Sequence, residues 1–409
     1  MNEDRLLLVT HVALKIGETG VSIDDQTARG IVRWSDNFER IAYAGIGTVE
    51  EAGAQQSSIN WVPIADLPCA GRLEVIPMPN AYRVQDFVAL YRSGRARLAT
   101  EVTRSRFLCF TVGALAGDWA AVASLEAIRQ KRRYAVWFDR VEHEVVRSGL
   151  PGMPLKRRVK ESACLPFMQL YHQHLVRRCD LGLFQGKDCY DYYSRFTSVG
   201  QCVYDTHTSK KDFIKKSGLD LKVSGIAAGD ALRICYVGRA ADMKGPIDWL
   251  EVLSRLRDAG VPFMARWLGD GPLLDQMRTM VMKRSLDAHV ELTGFVSDRA
   301  ETLDVMKTSH VFMFCHKTPE SPRCLIEALV CGAPIVGYRS SYASELTSAD
   351  GGGTFVDVGD VQGLVNCLID LHQDRTLLSE QVMRAAQSGR RFDEETVYRH
   401  RANLIRSML

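Results

Sequence analysis

Short apolar runs alternate with amphipathic stretches through the second half of the chain. RICYVG precedes IDWLEVLSRLRDAG, FMARWLG precedes LLDQMRTMVMKRSL, and HVELTGFV precedes ETLDVMKTS. The alternation continues through VFMFCHK, LIEALVCG, PIVGYR, TFVDV and VQGLVNCLIDLHQD. Runs so uniformly apolar suit strands buried on both faces, and the helices between them imply right-handed βαβ units around a parallel sheet. A Rossmann-like domain is therefore expected from roughly Gly225 to Ser388.

The first half follows the same grammar less regularly. LLLVTHVA leads through a loop to the helical DDQTARGIVRWSD, followed by RIAYAGIG and INWVPIA. The stretch from Ala65 to Arg106 reads as irregular; FLCFTVG, the helix DWAAVASLEAIRQ, the strand YAVWFDR, a helix from Pro166 to Cys179 and DLGLFQG follow it. Lys210 to Gly229, charged and then rich in glycine and alanine, reads as a linker. Together these patterns predict an α/β protein of two Rossmann-like domains facing each other across a cleft. The expected divisions are 1–205, 206–390 and a last helix, 391–409, that packs back on the first domain. In such folds ligands sit outside the carboxyl ends of the strands, so the loops after strands are where chemistry belongs.

Composition narrows the function classes. With 409 residues, 46% hydrophobic and 25% charged, the chain is an ordinary globular protein, and a net charge of +3 gives no reason to expect nucleic acid as a partner. The 11 cysteines form no CxxC pair and many sit inside apolar runs, as Cys109, Cys235, Cys315, Cys331 and Cys367 do, which fits a reducing compartment. MNEDRLLLVTH does not resemble a signal peptide, and the apolar stretch Phe107 to Ala123 is interrupted by Asp118, so a cytoplasmic location is expected. The basic run Lys156-Arg157-Arg158 with Lys160 is read as a solvated loop, with a weak peripheral contact to anionic lipid heads as the other reading.

The candidate chemistry gathers in ESPRCLIEALVCGAPIVG. Ser321 suits an N-cap, Pro322 the first helical position and Gly332 the C-terminal stop, so free amides near Arg323, Cys324 and Leu325 would face a bound anion. Glu327 lies in an otherwise apolar helix and needs donors. Arg323, one turn earlier, and a pair of ribose hydroxyls are both open as its partners. In RICYVGRAADMKG, Gly238 ends a strand, while Arg239 and Lys244 would bring two positive charges to a diphosphate leaving group. The turn GDGP with Gly269, and LTGFV with Gly294, Phe295 and Val296, are weaker signals; core packing of Phe295 competes with a base contact. Gly17-Glu18-Thr19-Gly20, after the first strand, would open a helix and let backbone amides approach phosphate. His172-Gln173-His174 lacks an HExxH context and reads as structural, whereas Glu142-His143-Glu144 follows a strand and should face the cleft. GxSxG and Walker A motifs are absent from the sequence.

These residues together resemble the GT-B fold of retaining glycosyltransferases, specifically glycosyltransferase family 4. Arg239 and Lys244 match the family's Arg and Lys after the first strand of the second domain, and Glu320 and Glu327 match its Glu-to-Glu motif. The wording is similar from about Arg233 to Asp357 and only topologically similar before that. The resemblance implies transfer of a sugar from a nucleotide-diphosphate sugar (UDP, GDP, ADP or TDP) to a hydroxyl of a sugar, lipid-linked sugar or small molecule. It implies retained configuration, no metal and no further cofactor. Arg239 and Lys244 would neutralise the diphosphate, Glu327 hold the ribose and Glu320 the donor sugar, while the Gly17 to Gly20 loop closes over the phosphates. Two departures stand out. Six residues rather than seven separate the glutamates, and a first-domain histidine is missing after FLCFTVG, leaving Asp139 or His143 as replacements. The expected asparagine-glycine turn before the linker reads Asp205-Thr206-His207. A non-catalytic nucleotide-sugar-binding subunit and a sugar-nucleotide epimerase on the same fold are the rival readings.

Overall fold

The structure, a computed structural model, describes residues 2–18, 20–49, 60–318 and 320–409. It divides into two compact units, residues 1–207 with 394–409, and residues 208–393.

The first unit begins with β1 (Asn2–Gly17), β2 (Gly20–Asp24), α1 (Asp25–Ser35), β3 (Arg40–Val49), β4 (Trp61–Pro63), β5 (Leu73–Pro79) and α2 (Val84–Arg104). It continues through β6 (Ser105–Thr111), α3 (Trp119–Arg129), β7 (Ala135–Phe138), α4 (Glu142–Gly149), α5 (Leu155–Arg178), β8 (Leu181–Gln185), α6 (Gly186–Tyr193) and β9 (Gly200–Val203). The parallel strands run β5-β3-β1-β6-β7-β8-β9, and β2 and β4 attach antiparallel at the end of β1. Alternation along β1 sends Leu7 and Val9 into a core with Leu98, Val102 and Trp119, and Leu6 and Leu8 into the opposite core with Ile31 and Trp34.

The second unit carries α7 (Lys216–Ala227), β10 (Leu232–Val237), α8 (Pro246–Asp258), β11 (Phe263–Leu268), α9 (Leu274–Lys283), β12 (Val290–Gly294) and α10 (Arg299–Thr308). It then adds β13 (Val311–Phe314), α11 (Arg323–Val330), β14 (Ile335–Tyr338), α12 (Ser341–Leu346), β15 (Gly353–Val356), α13 (Val361–Gln373) and α14 (Arg375–Gly389). Its six parallel strands take the order β12-β11-β10-β13-β14-β15, so the connection reverses direction between β10 and β13. A crevice opens at the carboxyl ends of strands where the order reverses. The last helix, α15 (Glu394–Met408), belongs to the first unit, burying Tyr398, Ala402 and Ile405 beside Ile31 and Trp34.

Several elements differ from the sequence reading. The stretch from Ala65 to Arg106 is not irregular but forms β5 and the 21-residue α2. Within α2 Gly94 is a close-packing site, since a Cβ there would lie 2.3 Å from the Trp119 ring. The segment read as a linker forms α7, held by buried Ile226 and Lys222; the Lys222 ammonium caps the carbonyls of Cys331 (3.1 Å) and Gly332 (3.0 Å) at the end of α11. Lys156, Arg157, Arg158 and Lys160 stand on the exposed first turns of α5 rather than on a loop. Among the described residues no helix is long and apolar enough to cross a membrane, and no cluster of His, Cys, Asp or Glu could hold a metal ion.

Candidate functional site

The candidate residues of the second unit collect at the carboxyl ends of β10 to β13. Gly238 and Arg239 follow β10, Gly269 follows β11, Gly294 ends β12 with Phe295 and Val296 directly after it, and Glu320 lies in the loop after β13. Backbone bonds lace these ends together: Gly238 N donates to Leu268 O (2.9 Å), Gly269 N to Gly294 O (2.7 Å) and Ala240 N to Asp270 O (2.9 Å). Gly269, at φ +146, has room for no side chain, because a Cβ would stand 2.0 Å from the carbonyl oxygen of Gly238. Its glycine is thus explained by backbone approach between two loops. Phe295 is 48% exposed, which removes the core-packing explanation for this aromatic at a strand end.

Lys244 ends a short turn, Asp242–Lys244, that Gly245 closes in the left-handed conformation before Pro246 opens α8. The loop after β13 is tied to this turn through Lys317 N and Met243 O (2.9 Å). Lys244 Nζ is ion-paired with Glu320 Oε2, with both side chains largely buried. The two residues that the sequence reading assigned to diphosphate and sugar therefore meet across the reversal point of the sheet. Arg239, one loop away, is exposed and its side chain makes no hydrogen bond or ion pair among the described residues.

Beneath the pair lies a histidine that the sequence reading did not single out. His316 is 4% exposed; its Nε2 is 2.6 Å from the Tyr236 hydroxyl, and its Nδ1 is 3.8 Å from Glu320 Oε2. Burial, reinforced by the Lys244 charge, pushes its pKa well down, so the imidazole is neutral. The signal in the sequence was a polar CHK tripeptide directly after an apolar strand.

Helix α11 starts at Arg323, with Pro322 as the N-cap and no side-chain cap, so Ser321 does not cap it. The extended φ and ψ of Pro322, −73° and 126°, place it before the first helical residue. Gly332, at φ +63, ends the helix as expected. Cys324 and Leu325 occupy the first turn, where burial pushes the Cys324 thiol up to about 12. Glu327 Oε1 accepts from Arg299 Nη1 at 2.6 Å, and Arg299 also lies 3.6 Å from Asp212. Arg299 is a partner supplied by the neighbouring helix α10, which no i,i+4 argument along α11 could reveal. Burial opposes its charge, but Glu327 and Asp212 outweigh that and raise its pKa.

In the first unit, the strand order reverses between β1 and β6, and a cavity of about 370 Å³ opens there. His11, Gly113, Asp118, Asp139, Arg140 and Glu142 are among its lining residues. Asp118 shapes the wall, accepting from Gly113 N (2.8 Å) and Ala114 N (2.9 Å) while capping α3. Asp139 accepts from Trp137 Nε1 at 2.5 Å. His143 does not face the cavity: it is 1% exposed, its ring lies 4.8 Å from that of Tyr192, and burial drives its pKa down to about 4. The exposed imidazole at this edge is instead His11, at the end of the apolar LLLVT run. His172 is fully buried against Phe138, in keeping with a structural reading. Gly17 and Gly20 do not open a helix. They pair with each other as the antiparallel turn from β1 into β2, and α1 begins only at Asp25 under the cap of Asp24. Thr19 of that loop lies outside the described residues.

The whole chain superposes on solved GT-B structures, which defines the class of fold as two Rossmann-like domains in one chain. One is Anabaena Alr3699/HepE in complex with UDP, with a TM-score of 0.67 at 15% identity, covering 99% of this chain and 100% of that one. Another is WaaG, a glycosyltransferase involved in lipopolysaccharide biosynthesis, at a TM-score of 0.63 and 10% identity over 98% and 99%. Residues 221–392 match the family Glycosyl transferases group 1. The chain is 29% identical over 190 residues to the putative colanic acid biosynthesis glycosyltransferase WcaL of Escherichia coli K12, covering 44% of this chain and 47% of WcaL. It is 26% identical over 208 residues to the amylovoran biosynthesis glycosyltransferase AmsK of Erwinia amylovora, covering 48% and 51%. The chain thus spans about half the length of the curated relatives it matches.

Proposed function

We propose that this protein is a glycosyltransferase that moves a sugar from a nucleotide-diphosphate sugar to a hydroxyl acceptor in polysaccharide or glycolipid synthesis. The observation that carries this reading is the Lys244–Glu320 pair at the reversal point of the second sheet, with the exposed Arg239 on the loop after β10. Arg239 and Lys244 stabilise the departing diphosphate, where two cations offset the charge that develops as the glycosidic bond breaks. The first-turn amides of α11, at Arg323, Cys324 and Leu325, add a positive helix end. Glu327, oriented by Arg299, receives the ribose, and Glu320 orders the donor sugar. Gly238, Gly269 and Gly294 shape the loops, and Phe295 and Val296 offer a surface for the base. The acceptor enters the cavity of the first unit, with Asp139 and His11 as the groups able to orient its hydroxyl. Transfer proceeds with retention and without a metal, by front-face attack within the ion pair, so it needs no protein nucleophile. The relatives' names support the polymer or lipid context, and the UDP of the Anabaena structure supports a nucleotide donor.

The same reading gives α5 a role at a lipid surface. Leu155, Val159, Phe167 and Leu170 are each 61–70% exposed, among Lys156, Arg157, Arg158 and Lys160. That mixture suits weak peripheral contact with anionic lipid heads on the cytoplasmic side.

The test is incubation with UDP, GDP, ADP and TDP sugars and lipid-linked or free sugar acceptors, with and without EDTA, followed by NMR of the new anomeric centre. A retained linkage formed in EDTA is expected. Donor binding without transfer to any acceptor would leave a binding subunit, and a change in the donor alone would leave an epimerase.

A further inference from the structure

The Lys244–Glu320 ion pair presents a difficulty if Lys244 is to serve a diphosphate. Glu320 is largely buried, and a carboxylate that loses the Lys244 ammonium in such a place is costly to leave uncompensated. The residue beneath it offers a remedy. The Tyr236 hydroxyl has one partner among the described residues, His316 Nε2, and both groups are buried. A neutral imidazole has one N–H. If that proton were on Nε2, the Tyr236 O–H would have no acceptor and Nδ1 would turn a bare lone pair toward a carboxylate. With Tyr236 donating to Nε2, the proton sits on Nδ1, which is buried, has no hydrogen-bond partner and stands 3.8 Å from Glu320 Oε2. That distance is too long for a hydrogen bond and short enough to close by rotation of one side chain.

We propose that His316 is a positioning residue that takes over Glu320 from Lys244 when a diphosphate binds. The incoming phosphates draw the Lys244 ammonium away, Glu320 Oε2 settles on the waiting Nδ1–H, and the carboxylate keeps the orientation that a donor sugar requires. Tyr236 locks the tautomer from below, and Gly238 leaves it room, since a Cβ there would stand 2.7 Å from the hydroxyl oxygen. The inference rests on the donor site assigned above.

Two substitutions separate the atoms. H316N keeps a donor near the Nδ1 position, whereas H316Q keeps a polar atom near Nε2 and loses the one facing Glu320. By calorimetry with UDP, GDP, ADP and TDP, whichever binds the wild type should bind H316Q about tenfold more weakly, the scale of one charge-assisted hydrogen bond. H316N should stay within about threefold of the wild type. In the ¹⁵N-histidine-labelled full chain, His316 should carry its proton on Nδ1, and that proton should move downfield on saturation with the nucleotide. A nucleotide that binds while the His316 signals stay still, or equal weakening in H316N and H316Q, overturns the hand-over and leaves the donor site standing. If none of the four nucleotides binds, the donor site falls and the hand-over with it.

Discussion

Replacing Gly245 by alanine puts the geometry of the donor edge under direct strain. Gly245 sits at φ 63° and ψ 41°, where an alanine costs about 1–2 kcal/mol from its own backbone. The new Cβ would stand 2.1 Å from the carbonyl oxygen of Cys315 and 2.9 Å from its Cβ. That oxygen is backbone at the end of β13, so relief requires moving either the strand end or the Lys244 turn, at a further cost of about 1–3 kcal/mol. The sum, about 2–5 kcal/mol, is a large part of the stability of an ordinary domain. Either movement also displaces Lys244 relative to Glu320, which hangs from the loop after β13. Gly260 supplies the control, because it has φ +74 and nothing within 4 Å of its Cβ position, so an alanine there meets the conformational cost alone. Urea unfolding of G245A should show a midpoint clearly below that of G260A, with a similar slope. The folded variant should also bind the nucleoside diphosphate at least about tenfold more weakly than G260A, a shift of roughly 1.4 kcal/mol or more. Equal midpoints together with equal nucleotide affinity would refute the reasoning.

Arg239→Ala should abolish sugar transfer while moving the unfolding free energy by less than about 0.5 kcal/mol, because the side chain is exposed and has no ion pair among the described residues; a large loss of stability with activity intact would contradict the assignment. Arg299→Met strips Glu327 of its 2.6 Å partner and should both weaken nucleotide binding and destabilise the second unit by about 1–3 kcal/mol, read by calorimetry and by urea titration. His143, neutral in the fold at a pKa of about 4, regains an ordinary value near 6.5 when unfolded, so the unfolded chain binds the extra proton between these limits and stability falls as pH drops from about 6.5 to 4. His143→Phe should flatten that part of the stability profile, and an unchanged slope would show that other groups set it. Charge reversal at Lys156, Arg157 and Arg158 should reduce co-sedimentation with phosphatidylglycerol vesicles several-fold and leave neutral phosphatidylcholine vesicles unaffected.

The second unit was readable because strand and helix signals coincide there. Runs such as VFMFC and PIVGY are apolar at every position, as strands covered on both faces must be. The first unit hides its elements by mixing signals. Gly94 looks like a breaker in α2 but is a point of helix contact with Trp119. At the start of the second unit Ser224, Gly225 and Gly229 likewise disguise α7 as a linker, although Lys222 and Ile226 anchor it. The Gly17 to Gly20 segment shows the reverse error, since a glycine pair after a strand suits a phosphate loop and a hairpin equally well. Arg239, Lys244, Glu320 and Glu327 were legible as charges out of place in strand-end loops or an apolar helix. Arg299, His316 and His11 were not, because each gains its place from a neighbour distant in sequence: Glu327 from α11, Tyr236 from β10, and the end of β6, respectively.

The return of α15 to the first unit makes that unit discontinuous in sequence. A recombinant fragment ending at residue 207 would lack the helix that covers Ile31 and Trp34, and would present that apolar face to water. The gap can be closed by rewiring, because Arg406 pairs with Asp4 at 2.7 Å and brings the two chain ends near each other. A circular permutant with a short linker from 409 to 1 and new ends between 207 and 208 would render each unit as one uninterrupted segment. Such a chain would cross between the units once, at 393–394, instead of twice, which makes the crossing at 207–208 separable from the fold of either half.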